Sequence, residues 1–262
     1  MSSTSLWSAV KRVVVVDPVL RTRLLTCRVV RRLGHMPLAF NSVADLRAHG
    51  SFDRPVDMVL FAIRSEVAVE VASMNHVRAI VGHGAALGLQ IPGRDMFWVS
   101  KLIKPGTRDE ISPHLRQLPD VFAFVERLML RNGFPVPSLE PEWGAYRFAL
   151  ATGEVWISGS PVKLKPLEFD LAIGFFQNRE HLLTREWLYA MYWAPRRNQY
   201  TSRSLDVHVS RVRYALGLQT RSDWVLHGVS GHGYVLRGPV VSTKVIGEHV
   251  GAIANSHAHA MT

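Results

Sequence analysis

The chain has a single cysteine, Cys27, in 262 residues. One thiol closes no intramolecular disulfide, so the fold must rest on packing alone. Cys27 lies in the apolar, arginine-rich run LLTCRVVRRL and reads as a packed small residue, not a nucleophile. Long hydrophobic runs are missing too. No stretch approaches the ~20 apolar residues needed to span a bilayer. The first residues lack the apolar core and small-residue cleavage site of a secretion signal. A cytoplasmic protein without a membrane partner is expected. Acids are scarce, with 21 Asp+Glu against 31 Lys+Arg and a net charge of +10. That balance favours a polyanionic partner without naming one. No nucleophile–base pair, metal-ligand cluster or phosphate-cradling glycine loop stands out. The glycine-rich run Gly228–Gly233 lies between two strand patterns and not ahead of a helix. No cofactor, metal or catalytic activity is therefore expected.

What is present is a set of periodic segments. In Ser202–Gly217, SRSLDVHVSRVRYALG, residues Leu205, Val209, Val212 and Leu216 form one apolar stripe at helical spacing. Arg203, Val207, Ser210, Arg211 and Tyr214 fall opposite, with His208 and Arg213 on the flanks. Arginine can read guanine or grip a phosphate, Tyr and His can bond phosphates, and Ser permits close approach. The helix alone fits a major-groove reader or a solvated basic face equally well. Its context is more specific. Lys165–Asn178 reads as a helix with Pro166 in its first turn. Thr184 reads as the N-cap of a second, short helix. Trp224-Val-Leu-His and Tyr234-Val-Leu-Arg read as two strands of a glycine-rich hairpin. Three helices and a hairpin make a winged helix-turn-helix. Ahead of them, Tyr146–Leu164 alternates with period two and reads as short strands.

The motifs Leu167-Glu-Phe-Asp-Leu, Leu183-Thr-Arg-Glu-Trp-Leu, Ser202-Arg-Ser-Leu-Asp-Val-His-Val-Ser-Arg-Val-Arg and Gly231-His-Gly-Tyr resemble, in order and spacing over residues 143–238, the effector domain of OmpR/PhoB-type response regulators. The resemblance implies that the long helix reads the major groove and that the wing touches the adjacent minor groove or backbone. Carried over by position, it gives Arg211 base readout and makes Arg203, His208 and Arg213 phosphate contacts. Ser204, Ser210, Tyr214, Ser230 and His232 complete the DNA-facing set. Arg196 and Arg197 precede the long helix and fit either phosphates, RNA polymerase or open solvent. The partners implied are double-stranded DNA as tandem direct repeats, RNA polymerase, and a second copy of the chain bound through the receiver-like domain.

The N-terminal half alternates strands and helices: strand Arg12–Asp17, helix Leu20–Leu33, a strand from Gly34, helix Ser42–Ala48 and strand Val56–Ile63. Val77–Val81 and Phe97–Ile103 are read as the fourth and fifth strands. This is a doubly wound α/β pattern with its ligand edge at the strand C-termini. It resembles a receiver domain, with Asp17 and Lys104-Pro105 as landmarks. Receiver chemistry needs an acidic cluster for Mg²⁺ and an aspartate that accepts a phosphoryl group. Ala62 stands where that aspartate belongs, Gly82 near the Ser/Thr switch position and Lys101 near the aromatic one. Asp17 is the one acid left at the end of strand one, with Glu66 a nearby candidate. Lys104 is expected to pair with Asp17, bind an anion or serve a structural role.

The fold expected is α/β plus α+β. Residues 1–118 form a degenerate receiver-like, flavodoxin-like domain, and 119–142 a helix and proline-rich linker. Residues 143–238 form a winged-helix DNA-binding domain with a small N-terminal β-sheet, and 239–262 a flexible tail in which His257 and His259 hold no metal. Charge does not single out the DNA-binding half: residues 1–118 carry 16 basic and 9 acidic side chains, residues 143–238 carry 12 and 7. The function expected is sequence-specific transcription regulation without aspartyl phosphorylation. The alternatives are a protein- or ligand-binding sensor in the N-terminal half, and an interaction protein that binds DNA non-specifically.

Overall fold

The structure is a computed structural model. It describes residues 10–50, 52, 54–64, 74, 76–82, 84–92, 109–193, 202–219 and 223–239, with the side chains of residues 202 and 203 excepted. The first sheet is parallel, with strands β1 (Arg12–Val16), β2 (Met36–Phe40), β3 (Met58–Ala62), β4 (Ala86–Ile91) and β5 (Glu110–Pro113) in the order β2-β1-β3-β4-β5. Val13 to Val16 and Met58 to Ala62 are buried on both faces, which is why these segments are continuous apolar runs. Helices α1 (Leu20–Arg32) and α3 (Leu118–Arg131) cover one face. Helix α2 (Val43–Ala48) and the helical residues 76–81 supply Leu46, Val77 and Val81 to the core of the other. Ser42 caps α2 by accepting the Asp45 amide at 3.1 Å.

Two strand assignments change. Val77–Val81 is helical: Val77 and Val81 are buried one turn apart, while Ala79 is exposed. The fourth strand is Ala86–Ile91 and the fifth Glu110–Pro113, both paired in parallel. The short segment Glu-Ile-Ser-Pro lies at the sheet edge, where a proline costs no ladder bond. Phe97–Ile103 lies outside the described residues. Helix α3 packs on α1 and β4, with Phe122, Phe124, Val125 and Leu128 fully buried. The helix expected to open the linker thus packs on the parallel sheet.

The second half starts with a four-stranded antiparallel sheet of β6 (Glu142–Trp143), β7 (Tyr146–Ala149), β8 (Glu154–Ile157) and β9 (Ser160–Val162). Helices α4 (Pro166–Gln177), α5 (Arg185–Tyr192) and α6 (Ser202–Ala215) follow. Strands β10 (Leu183–Thr184), β11 (Val225–Val229) and β12 (Gly233–Arg237) form the closing sheet in the order β10-β12-β11. Thr184 caps α5 through the Trp187 amide at 3.2 Å. Two glycines are fixed by close approach. A Cβ at Gly233 would meet the Leu183 carbonyl oxygen at 2.1 Å, and one at Gly174 the Tyr192 hydroxyl at 1.9 Å.

One buried cluster runs from Val13, Cys27 and Phe122 through Phe148, Phe169 and Phe176 to Val209 and Leu236. The two halves thus share a core. At the seam lies Asp170 of α4, 1% exposed. Arg28 Nε and Arg32 Nε of α1 donate to it at 3.0 and 2.9 Å, and Arg31 stands 4.0 Å away. Arg32 also donates to the Leu150 carbonyl at 2.8 Å and covers the Phe169 ring. Arg31 donates to the Met191 carbonyl at the end of α5. A buried carboxylate of this kind is tolerable because two guanidinium groups donate to its oxygens.

Candidate DNA interface and receiver pocket

Helix α6 is oriented by its apolar stripe. Leu205, Val209, Val212 and Leu216 are each at most 1% exposed, which turns Val207, Ser210, Arg211 and Tyr214 outward. Tyr214 is 81% exposed. Side chains the sequence reading left without a role fix the helix in place. Arg185, at the start of α5, pairs with Asp206 at 2.9 Å. The Tyr234 hydroxyl of β12 donates to the same carboxylate. One acid therefore ties α6, α5 and the wing together. The Arg185 bond, followed by the Tyr234 bond, holds the Asp206 carboxyl below the usual carboxylate range against the cost of burial. The signal was in the sequence, since Arg185, Asp206 and Tyr234 all fall inside the motifs. Only the fold brings them together.

The expected DNA-contacting residues divide into groups. Ser210, Arg211 and Tyr214 share the exposed face. Arg211 also has Nη1 3.7 Å from Oε1 of buried Glu168, whose other oxygen accepts the Lys165 amide at the start of α4. That carboxylate aims the guanidinium while leaving its side chain 52% exposed. His208 lies between Glu168, 3.9 Å from Nδ1, and Trp193. A flank position beside an indole favours burial over a phosphate contact. Arg213 is half-buried. Its Nε donates to the Leu226 carbonyl at 3.0 Å, stapling α6 to β11. Ser204 is half-buried. At the wing tip Ser230 and His232 are exposed, and His232 Nδ1 donates to the Ser230 carbonyl at 2.7 Å. Arg196, Arg197 and the side chain of Arg203 lie outside the described residues.

At the C-terminal edge of the parallel sheet, Asp17 is 3% exposed and fully occupied. Its Oδ1 accepts the Val19 amide at 2.9 Å and its Oδ2 the Thr22 hydroxyl. Arg64, two residues after β3, closes a fork on it, Nη2 to Oδ2 at 2.9 Å and Nε to Oδ1 at 3.3 Å. Ala62 ends β3, 6% exposed. A methyl thus stands at the acceptor position, and a guanidinium neutralises the acid that would help hold a cation. Gly82 is corrected. It precedes β4, at the other end of the sheet from the pocket. The C-terminal end of β5 carries Ser112 and Pro113, so Lys104 precedes the strand it was expected to follow. Lys101, Lys104 and Glu66 lie outside the described residues. His114, after β5, has Nε2 2.6 Å from the Ile63 carbonyl, and burial lowers its pKa.

Fold and site define a winged-helix effector domain behind a receiver-like α/β domain. Residues 159–236 match the family model "Transcriptional regulatory protein, C terminal". The protein RcaC of Microchaete diplosiphon is 30% identical over 115 residues, 43% of this chain; the chain spans only 17% of that relative's length. Among solved structures, the response regulator DrrB of Thermotoga maritima, an OmpR/PhoB homologue, is 20% identical, covers 87% of this chain and 100% of its own, and has a TM-score of 0.36. The RstA DNA-binding domain of Klebsiella pneumoniae, solved with its RstA box, is 22% identical over 37% of this chain and 96% of its own, with a TM-score of 0.33. No described helix is long and apolar enough to cross a membrane.

Proposed function

We propose that this chain regulates transcription by binding specific duplex DNA through α6, and that its receiver-like half works without aspartyl phosphorylation. The carrying observation is the outer face of α6, where Ser210, Arg211 and Tyr214 are exposed, Arg211 steadied by Glu168 of α4, while the opposite stripe is buried. Arg211 reads a base edge and Tyr214 and Ser210 approach the backbone, with the wing residues Ser230 and His232 beside the next groove. The chain acts as a homodimer on tandem direct repeats and engages RNA polymerase through the 194–201 segment. Ala62 and the Asp17–Arg64 fork support the second half of the proposal. With no acceptor carboxylate among the described residues at the end of β3, and with the Arg64 cation already on Asp17, the pocket has no use for Mg²⁺ or a phosphodonor.

The test is selection of preferred sites from random duplexes with unmodified protein, followed by titration at two salt concentrations. A repeat-containing site bound without phosphodonor is expected. Arg211→Ala should weaken that site by ~1–3 kcal/mol and relax its sequence preference. Enrichment of no sequence, with equal salt-sensitive binding by both proteins, would overturn the reading.

A further inference from the structure

Beside the Asp17–Arg64 fork lies a cleft of about 810 Å³, walled by the first half of α1 and the connection from β5 to α3. Four arginines line it: Arg21, Arg28, Arg64 and Arg116. No acid does. Two of the four are held from behind, Arg64 by Asp17 at 2.9 Å and Arg28 by Asp170 at 3.0 Å. Arg21 and Arg116 are exposed and make no ion pair among the described residues. The first turn of α1 contains no acid to offset them. Arg64 and Arg28 already have counter-charges, so it is the two rim cations, Arg21 and Arg116, that an entering anion would offset. Val19, Leu24, Leu25 and Leu118 supply an apolar part of the wall, and Thr22 and Gln117 add two neutral polar side chains. The cleft opens at the C-terminal edge of a doubly wound sheet, where such folds take ligands.

From these observations we infer that the cleft is a binding site for a small organic phosphate of nucleotide size. Guanidinium forks match phosphate oxygens two at a time. Arg64 and Arg28 are preorganised by their carboxylates, so their free N–H groups are already aimed. Arg21 and Arg116 close from the rim. The leucine wall takes the ring or chain of the ligand, and the volume falls within the range of small-molecule sites. The site does not transfer a phosphoryl group; it holds a phosphate reversibly. Arg28 serves both the cleft and Asp170, so an occupant bears directly on the contact between α1 and α4.

The experiment is calorimetric titration of the full chain with ADP, with inorganic pyrophosphate and with adenosine. ADP is expected to bind saturably at one site per chain, pyrophosphate more weakly and adenosine not at all. The double variant R21A/R116A alters two exposed side chains, and circular dichroism checks its fold. It should lose about tenfold or more in ADP affinity, as befits two charge-assisted contacts. R211A, on the DNA face, should bind ADP unchanged. Four results overturn the assignment: no saturable ADP binding, binding indifferent to R21A/R116A, adenosine binding as tight as ADP, or loss of binding in R211A. ADP no tighter than pyrophosphate removes its organic half. None of these readouts involves DNA, so failure here is separate from failure of the regulatory proposal.

Discussion

Arg64 does in the receiver-like pocket what a bound cation would do elsewhere, and it does so from within the chain. Its fork on Asp17 leaves that carboxylate no free oxygen for a metal. Restoring the acceptor alone should therefore restore nothing. In Ala62→Asp, incubation with acetyl phosphate and Mg²⁺ should add no phosphoryl group by intact-mass spectrometry; a Mg²⁺-dependent adduct would show that Arg64 yields its place. Cys27 gives a second test at this scale. Burial pushes its thiol up to about 11, and the thiolate is the reactive form. Native protein should resist iodoacetamide, and unfolded protein should label stoichiometrically at the chain's single thiol. Ala62, Asp17 and Cys27 were legible because each is fixed by strand register or by a local run. Arg64 was not, because the loop after β3 carries no pattern and its partner lies 47 residues away.

The elements were legible where periodicity was strong, as in α1, α6 and the wing hairpin. They were missed where composition contradicted conformation. Ala86–Ile91 contains Gly88 and the buried Gln90, and Glu110–Pro113 contains an acid and a proline. Neither looks like a buried strand in isolation. Val77–Val81 is rich in branched residues and looks like one, yet it is helical. Gly88 has a tertiary reason: a Cβ there would meet Leu128 and Leu60 at 2.7 and 2.8 Å, so β4 must be bare where α3 crosses it. The start of the linker also has a titratable anchor. His35, 2% exposed, accepts the Lys11 amide at Nδ1 and donates from Nε2 to the Pro135 carbonyl at 3.0 Å. Burial lowers its pKa from 6.5 despite the bond to Pro135. The unfolded chain thus takes up a proton that the folded chain refuses. Stability is full above about 6.5 and falls as pH drops from there through the depressed folded value. His114 acts in the same direction. Melting temperature should decline between about pH 7.5 and 5.5, and His35→Gln should flatten that slope without abolishing it.

At the scale of the molecule, no local pattern signals that the halves share a core. Asp170 was visible only as one letter of the first effector helix. Its partners Arg28 and Arg32 lie 142 and 138 residues away, beyond the reach of any local pattern. Asp170→Ala leaves Arg31 and Arg32, 8% and 2% exposed, without their counter-charge. A loss of roughly 3–5 kcal/mol is expected, as for other broken buried pairs. Calorimetry should show one unfolding transition for the parent chain and two separated ones for the variant. A single unshifted transition would mean the seam contributes little.

The same seam bears on how the chain can be recombined. Regulators built from two independent domains exchange them freely, since a linker makes few demands on what it joins. Here a foreign receiver grafted ahead of α4 would bury Asp170 against a helix with no arginines to meet it, and a foreign effector would strand Arg31 and Arg32. The two halves of this chain are therefore matched parts, which change together or not at all.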